Sequence, residues 1–266
     1  MKKLIKYLTS TCLTLMSLTS GYAYADNVAI DELPKNPNVT NGTATISSSS
    51  NNLLIQQKTN KLSVTWSTFN IGSSSNVEFL QPSRDSIALN RVNSNDPSHI
   101  YGELKANGQL IFINPNGVIF KGGSKVDVGS IIATTFNIEE NDFYKDKYIF
   151  NNAGYDGIIE NEGKITASKG GTVALIAKRI TNKGEIEAPN GTTAMLSGER
   201  ITLSMDGNAL INYEIDSKSI DNLIKTNQAI QLENQAMVLN SAAKEAILGS
   251  VINNSGTIKA NSITKK

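Results

Sequence analysis

The sequence predicts an all-β parallel β-helix, a solenoid, from three observations: a repeat near twenty residues long, the β-branched and small residues that carry it, and a chain without disulfide chemistry. Residues 159–170, IENEGKITASKG, align with residues 180–191, ITNKGEIEAPNG, at an offset of 21, and six of twelve positions coincide. The register is expected to run on from Arg179 and Ile180 to Arg200 and Ile201. Its front half returns in residues 252–260, INNSGTIKA, and more loosely in residues 102–106, GELKA. Stacked coils lie about 4.8 Å apart, so equivalent inward residues form ladders. Ile165 falls under Ile186 and Ala167 under Ala188. Asn161, Asn182 and Asn254 form a column whose amides can bond to the coils above and below. Leucine-rich repeats share the period but need a leucine ladder that is absent.

Taken in chain order, residues 1–25 read as a secretory signal peptide: Lys2, Lys3 and Lys6 precede an apolar stretch, and Ala23-Tyr24-Ala25 forms a cleavage site ahead of Asp26. The stretch is too short, and too interrupted by Thr and Ser, to span a bilayer. Cleavage changes the net charge from +1 to −2, with 22 basic against 24 acidic side chains, so nothing points to nucleic acid. The one cysteine, Cys12, leaves with the signal and lacks the small-residue run of a lipoprotein. The exported remainder, residues 26–266, must therefore be held by packing and backbone pairing.

The polar segment 26–52 is expected to cap the first coil, because an open solenoid end is an unpaired β edge. Asn114-Pro115-Asn116-Gly117, inside FINPNGVIF, has turn chemistry: Pro115 presets φ at the second position and Gly117 closes the turn. Its apolar flanks then run as strands. The charged and aromatic segment Asn137 to Tyr155 leaves the coil as an excursion, and Ser217 to Leu248 is expected to form short helices or turns around a strand at Ala236 to Leu239, outside the solenoid. Nothing comparable to the N-terminal cap closes the other end, where Ile252 to Ala260 opens a further coil.

Sites of chemistry are not found. His99 is the one histidine and reads as a loop residue before a strand, without triad spacing to Asp96 or Ser98. Zinc lacks ligands, calcium lacks a loop motif, and no phosphate loop occurs, so no metal or cofactor is expected. The pairs Glu160/Glu162 and Glu185/Glu187 alternate outward beside Lys164 and Lys183 and read as solvated acids rather than a glycosidase pair. Four Asn-x-Ser/Thr sequons, at Asn38, Asn41, Asn190 and Asn253, read as composition. The chain is not expected to be an enzyme.

Residues 66–72 (WSTFNIG), 77–82 (VEFLQP), 88–92 (ALNRV), 108–120 (GQLIFINPNGVIF) and 128–135 (VGSIIATT) follow one another in an order that resembles the N-terminal secretion domain of two-partner-secretion exoproteins, the filamentous haemagglutinin and high-molecular-weight adhesin type. The resemblance covers essentially all of residues 26–266. It implies a right-handed parallel β-helix exported by the Sec machinery and secreted, or held at the cell surface, by way of the periplasm. The partner it implies is an outer-membrane β-barrel transporter of the Omp85 type, whose periplasmic recognition domains bind the unfolded chain by strand addition before a β-helix nucleates outside the cell. Trp66, Phe69, Asn70, Asn90, Arg91, Asn114, Pro115, Asn116 and Gly117 are the candidates for partner recognition or for defining the fold. Such exoproteins continue for many hundreds of residues, so this one reads as a short or truncated adhesin-type chain. The alternative is a stand-alone β-helix module binding a host-surface glycan or protein.

Overall fold

Short apolar runs broken by Gly, Asn and Ser give strands of two to eleven residues, and most pair in parallel with the strand about one repeat away. The structure, a computed structural model, describes residues 28–216, 237–240 and 252–259. The result is a β-solenoid of about six turns. Each coil crosses three sheet faces in turn. Glu103–Ile113 and Lys125–Thr134 are long enough to run over the first and second faces without a break, which joins those faces into one sheet. The third face is a separate five-stranded sheet.

The first face shows why the repeat produces this fold. Leu53, Val77, Leu104, Val126, Ile165, Ile186 and Ile258 stand in consecutive parallel register, one inward residue per coil. On the third face, Ile100, Phe120, Asn161, Asn182 and Asn254 share one column. Its apolar members fill the early coils. From Asn161 onward it becomes an amide ladder, in which Asn161 Nδ2 donates to Asn182 Oδ1 at 2.8 Å and Asn182 Nδ2 to Asn254 Oδ1 at 2.7 Å. Asn161 and Asn182 have no solvent exposure, so the ladder satisfies groups that would otherwise be buried without partners.

Outside the first face, Lys164 bridges Glu185 and Glu187, and Lys259 reaches the same two acids. Lys183 likewise meets Glu160 and Glu162. Exposed pairs of this kind contribute about 0–1 kcal/mol each, whereas each buried Ile or Leu contributes about 1.5–3 kcal/mol. The inward ladders therefore hold the solenoid, and the charges finish its surface.

The cap forms as expected and works by reversing direction. Asn38–Asn41 pairs antiparallel with Lys61–Trp66, and Ala44–Ser49 pairs antiparallel with Asn52–Gln57, covering the edges of the first coil on two faces. Lys35 bridges Thr68 in the same sense.

The excursion within the fourth coil also forms, as Asn137–Ile138, a five-residue helix Glu140–Tyr144, and Tyr148–Asn151. A second excursion departs from the sequence expectation. Arg200 and Ile201 do not continue the repeat: Ile201 pairs antiparallel with Phe150 and with Ile215, inside a four-stranded sheet that lies outside the solenoid. The partner of Ile180 is instead Ile252, which completes the sixth coil. The repeat also slips by one residue at a corner, since Thr172 stacks on Thr192 and hence Gly171, rather than Gly170, underlies Gly191.

Of the segment from Ser217 to Leu248, the expected helices lie outside the described residues, as does the signal peptide. The expected strand is present at Met237–Asn240, but it extends the second face in parallel with Thr192–Leu196 instead of packing outside. Ile252–Asn254 and Thr257–Lys259 continue the third and first faces, as the sequence repeat implies.

Candidate functional site

The sequence-predicted residues gather in the first three coils. Lys61–Trp66 alternates Leu62, Val64 and Trp66 inward, so the indole enters the core and is 1% exposed. The next coil places Asn90 inward, in register between Val64 and Phe112. A lone amide there would destabilise an apolar core, but Trp66 Nε1 donates to Asn90 Oδ1 at 3.1 Å, and Asn90 Nδ2 donates to the Ala88 carbonyl at 3.3 Å. Phe69 packs edge-on against Trp66 at 5.1 Å between ring centroids and against Phe112 at 4.7 Å. Three consecutive coils are thus joined by one aromatic and amide cluster.

Because Trp66 is the one tryptophan, its emission reports on this cluster directly. The folded chain should show a blue-shifted spectrum insensitive to iodide, and unfolding should shift it red. Iodide quenching of the folded chain at the unfolded rate would contradict the burial.

Asn70 lies at the following corner. Its Oδ1 accepts the His99 N–H at 2.9 Å, and its Nδ2 points to Glu32 Oε1 in the cap at 3.5 Å. Burial raises the pKa of the Glu32 carboxyl, but hydrogen bonds from Lys35, the Ala29 N–H and Asn70 outweigh that and hold it below the ordinary value. His99 itself belongs to the strand Ser98–Ile100, not to the loop before it, because it follows the alternation that buries Ser98 and Ile100.

FINPNGVIF forms the corner between the second and third faces. Gly117 N–H donates to the Asn114 carbonyl at 3.0 Å and the Asn116 N–H to Asn114 Oδ1 at 3.0 Å. The φ of +130° at Gly117 is one that side-chain-bearing residues rarely adopt. Asn114 is fully buried, and its Nδ2 donates to the Asp96 carbonyl at 3.1 Å and Ser98 Oγ at 2.9 Å. Asn116, exposed, still donates to the Ser94 carbonyl at 2.7 Å. Both asparagines staple their corner to that of the coil before. Pro115 is half-buried at the turn. The flanking strands are consecutive but lie in different sheets, so they do not pair with each other.

Arg91 stands apart from the cluster. It points outward from the second face, where its guanidinium donates to the Ile138 carbonyl of the first excursion. Burial lowers its pKa, and Glu140 and Glu139 act against that.

Sequence reasoning misses three residues that matter to this region: Gln57, Gln81 and Gln109, all buried at the corner between first and second faces. Gln81 Nε2 donates to Gln57 Oε1 at 3.1 Å, to the Ser86 carbonyl at 3.0 Å and to the Gln109 carbonyl at 3.2 Å, while its Oε1 accepts the Gly108 N–H. The signal that could have found them is a glutamine repeating at about coil spacing beside apolar strands.

Among the described residues, no group of three or more His, Cys, Asp or Glu could hold a metal ion. An open hollow of about 560 Å³ lies at the cap, lined by Asp31, Glu32, Lys35 and Asn36 together with Ile46 and Leu53. It does not include the clustered residues. The cluster itself is a sealed interior: a partner can touch Trp66, Phe69, Asn90 and Asn114 only in a chain that has not yet folded.

Comparison with known proteins places this arrangement. A family model described as the TPS secretion domain matches residues 31–266. Two heme/hemopexin-binding proteins of Haemophilus influenzae are similar, one 39% identical over 127 residues and the other 33% identical over 152 residues, 48% and 57% of this chain. The chain spans only 14% and 16% of their lengths. Among solved structures, the HMW1 secretion domain of Haemophilus influenzae matches with a TM-score of 0.65 and 30% identity, over 70% of this chain and 50% of that one.

Proposed function

The chain belongs to the TPS secretion-domain family, and on that premise we propose that residues 66–120 are the segment its transporter reads, and that they are read unfolded. Members of this family are secreted through the periplasm to the cell surface or beyond, and each has a cognate outer-membrane transporter. The observation that carries the reading is burial. Trp66, Phe69, Asn90 and Asn114 are enclosed in the first three coils, where no partner reaches them once those coils have closed, whereas Asn70, Arg91 and Pro115 are half-buried and Asn116 is exposed.

In an extended chain the same segment offers unpaired backbone donors and acceptors, and Phe112, Asn114 and Asn116, spaced by two, fall on one side of it. That is what strand addition to a partner's sheet edge requires. Folding outside the cell then withdraws the segment from the transporter and starts the solenoid, which grows coil by coil from a nucleus. Passage across the inner membrane falls to the Sec machinery.

The test uses the full chain in two states. The chain kept unfolded in urea until mixing and the folded chain are titrated against the transporter's purified periplasmic domains. The unfolded chain is expected to bind saturably, and the folded chain at least about tenfold more weakly, a difference of about 1.4 kcal/mol. Equal affinity of both states would remove the reading.

A second reading, a stand-alone module that binds a host-surface glycan or protein, draws on the names of the two heme/hemopexin-binding relatives. It predicts saturable binding of hemopexin or heme by the folded chain without any transporter.

A further inference from the structure

The outward side of the second face is unusual for a solenoid exterior, because it is apolar. Leu89, Ile111, Ile132 and Ala174 stand in one outward column, one residue from each of four consecutive coils, and all are buried. What covers them is the four-stranded sheet built from the two excursions, with Phe136, Phe143, Phe150 and Ile201 packed into the same apolar cluster.

This cover is made from distant pieces. Tyr148–Asn151 comes from the insertion in the fourth coil and Arg200–Asp206 from the one in the sixth, and they pair with each other. Polar contacts then tie the cover back to much earlier coils. Lys61 Nζ donates to the carbonyls of Phe143 at 3.0 Å and Tyr144 at 3.1 Å and meets Asp146 at 2.7 Å, across 82 to 85 residues. Arg91 holds the Ile138 carbonyl across 47 residues. At the other end, Ser130 Oγ and Thr172 Oγ1 both donate to the Asn208 carbonyl at 2.9 Å.

We propose that this sheet is a clasp that closes after the solenoid has formed and locks its first coil to its sixth. The order follows from what each part needs. Coil stacking joins neighbours such as Ile165 and Ile186 and can proceed one coil at a time. The clasp needs both insertions, and its apolar side has no surface to rest on until the second to fifth coils have stacked. Its contacts also close far longer loops, which are harder to form early.

Closing changes how the molecule can come apart. An open solenoid frays from its ends, a coil at a time. With the clasp shut, the first coil is fixed through Lys61 to the fourth-coil insertion, and that insertion pairs with the sixth-coil insertion, so neither end opens alone. Interactions made after the folding transition state slow unfolding and leave folding nearly unchanged.

Pulsed hydrogen exchange during refolding of the full chain tests the order. Amides of Glu103–Ile113 and Lys125–Thr134 should gain protection in an early phase, together with binding of a hydrophobic dye to the uncovered second face. Amides of Tyr148–Asn151 and Ala209–Ile215 should follow in a later phase that releases the dye. Protection of all four strands in one phase, or of the sheet first, would overturn the proposal. In Lys61→Met, unfolding should be about tenfold faster with the early refolding phase unchanged; a slowed early phase would count against it. If that variant does not fold, the labelling order in the unmodified chain still decides.

Discussion

Gly171→Val is expected to destabilise the folded chain by at least about 4 kcal/mol, in the range reserved for severe backbone conflicts. A Cβ at this position would sit 2.1 Å from the Gly129 carbonyl of the coil below, and one at Gly191 would sit 1.9 Å from the Gly171 carbonyl. These contacts are with backbone, which cannot rotate away. Relief would require parting the coils, and parting them breaks the parallel ladders on both sides. Gly122→Ala is the matched control: its Cβ would meet nothing within 4 Å, so its effect should stay within about 0.5 kcal/mol. Urea unfolding monitored by Trp66 emission measures both. A Gly171→Val midpoint equal to that of the unsubstituted chain would show that the column is not tight. Because position 171 lies outside residues 66–120, the variant's unfolded chain should bind the transporter's periplasmic domains as the unsubstituted unfolded chain does.

Trp66→Ala should destabilise the folded chain by about 4 kcal/mol, the usual loss for emptying a fully buried large aromatic site. The substitution leaves a cavity beside Phe69 and leaves Asn90 Oδ1 without its donor. Trp66→Phe keeps most of the volume and loses only the donor, so it should lose about 1–3 kcal/mol, the range for an orphaned buried acceptor. Unlike Gly171→Val, both substitutions lie inside the segment proposed to be read. Weaker transporter binding by the unfolded Trp66→Ala chain would be a recognition effect, separate from folding. Circular dichroism melts of the two variants give the stability difference, and a Trp66→Ala loss no larger than that of Trp66→Phe would contradict the packing argument.

The solenoid was legible in the sequence wherever one coil directly repeats its neighbour. Ile165 over Ile186 and Asn161 over Asn182 and Asn254 follow from spacing alone, because equal local chemistry must recur where strands stack. The same reasoning failed at Ile201. An arginine and an isoleucine at the expected offset suit a further coil, but they suit an antiparallel strand equally well, since both bury alternate residues. What decides is the apolar exterior of the second face, a tertiary demand that no single segment records.

The candidate site was legible in a different way. Its residues were found from a resemblance in motif order, and the structure then showed that Trp66, Asn90 and Asn114 face inward toward partners one coil away, with Phe69 packed on Trp66 and Phe112. Gln81 was legible only as one of three glutamines near coil spacing, with Gln57 and Gln109; its role depends on carbonyls brought near by other parts of the coil stack.

The third-face column, isoleucine and phenylalanine in the early coils and asparagine from Asn161 onward, divides the molecule into an aperiodic and a periodic half. A periodic stack has translational symmetry: each amide rung presents the next with the surface it was itself given, so rungs can be added or lost in evolution without redesign. The early coils have less of this freedom, since Phe120 differs in size from Ile100 on one side and Asn161 on the other and must be fitted to both. A substitution in one early rung must therefore be met by a change in the rung stacked on it, whereas the amide rungs accept one another unchanged.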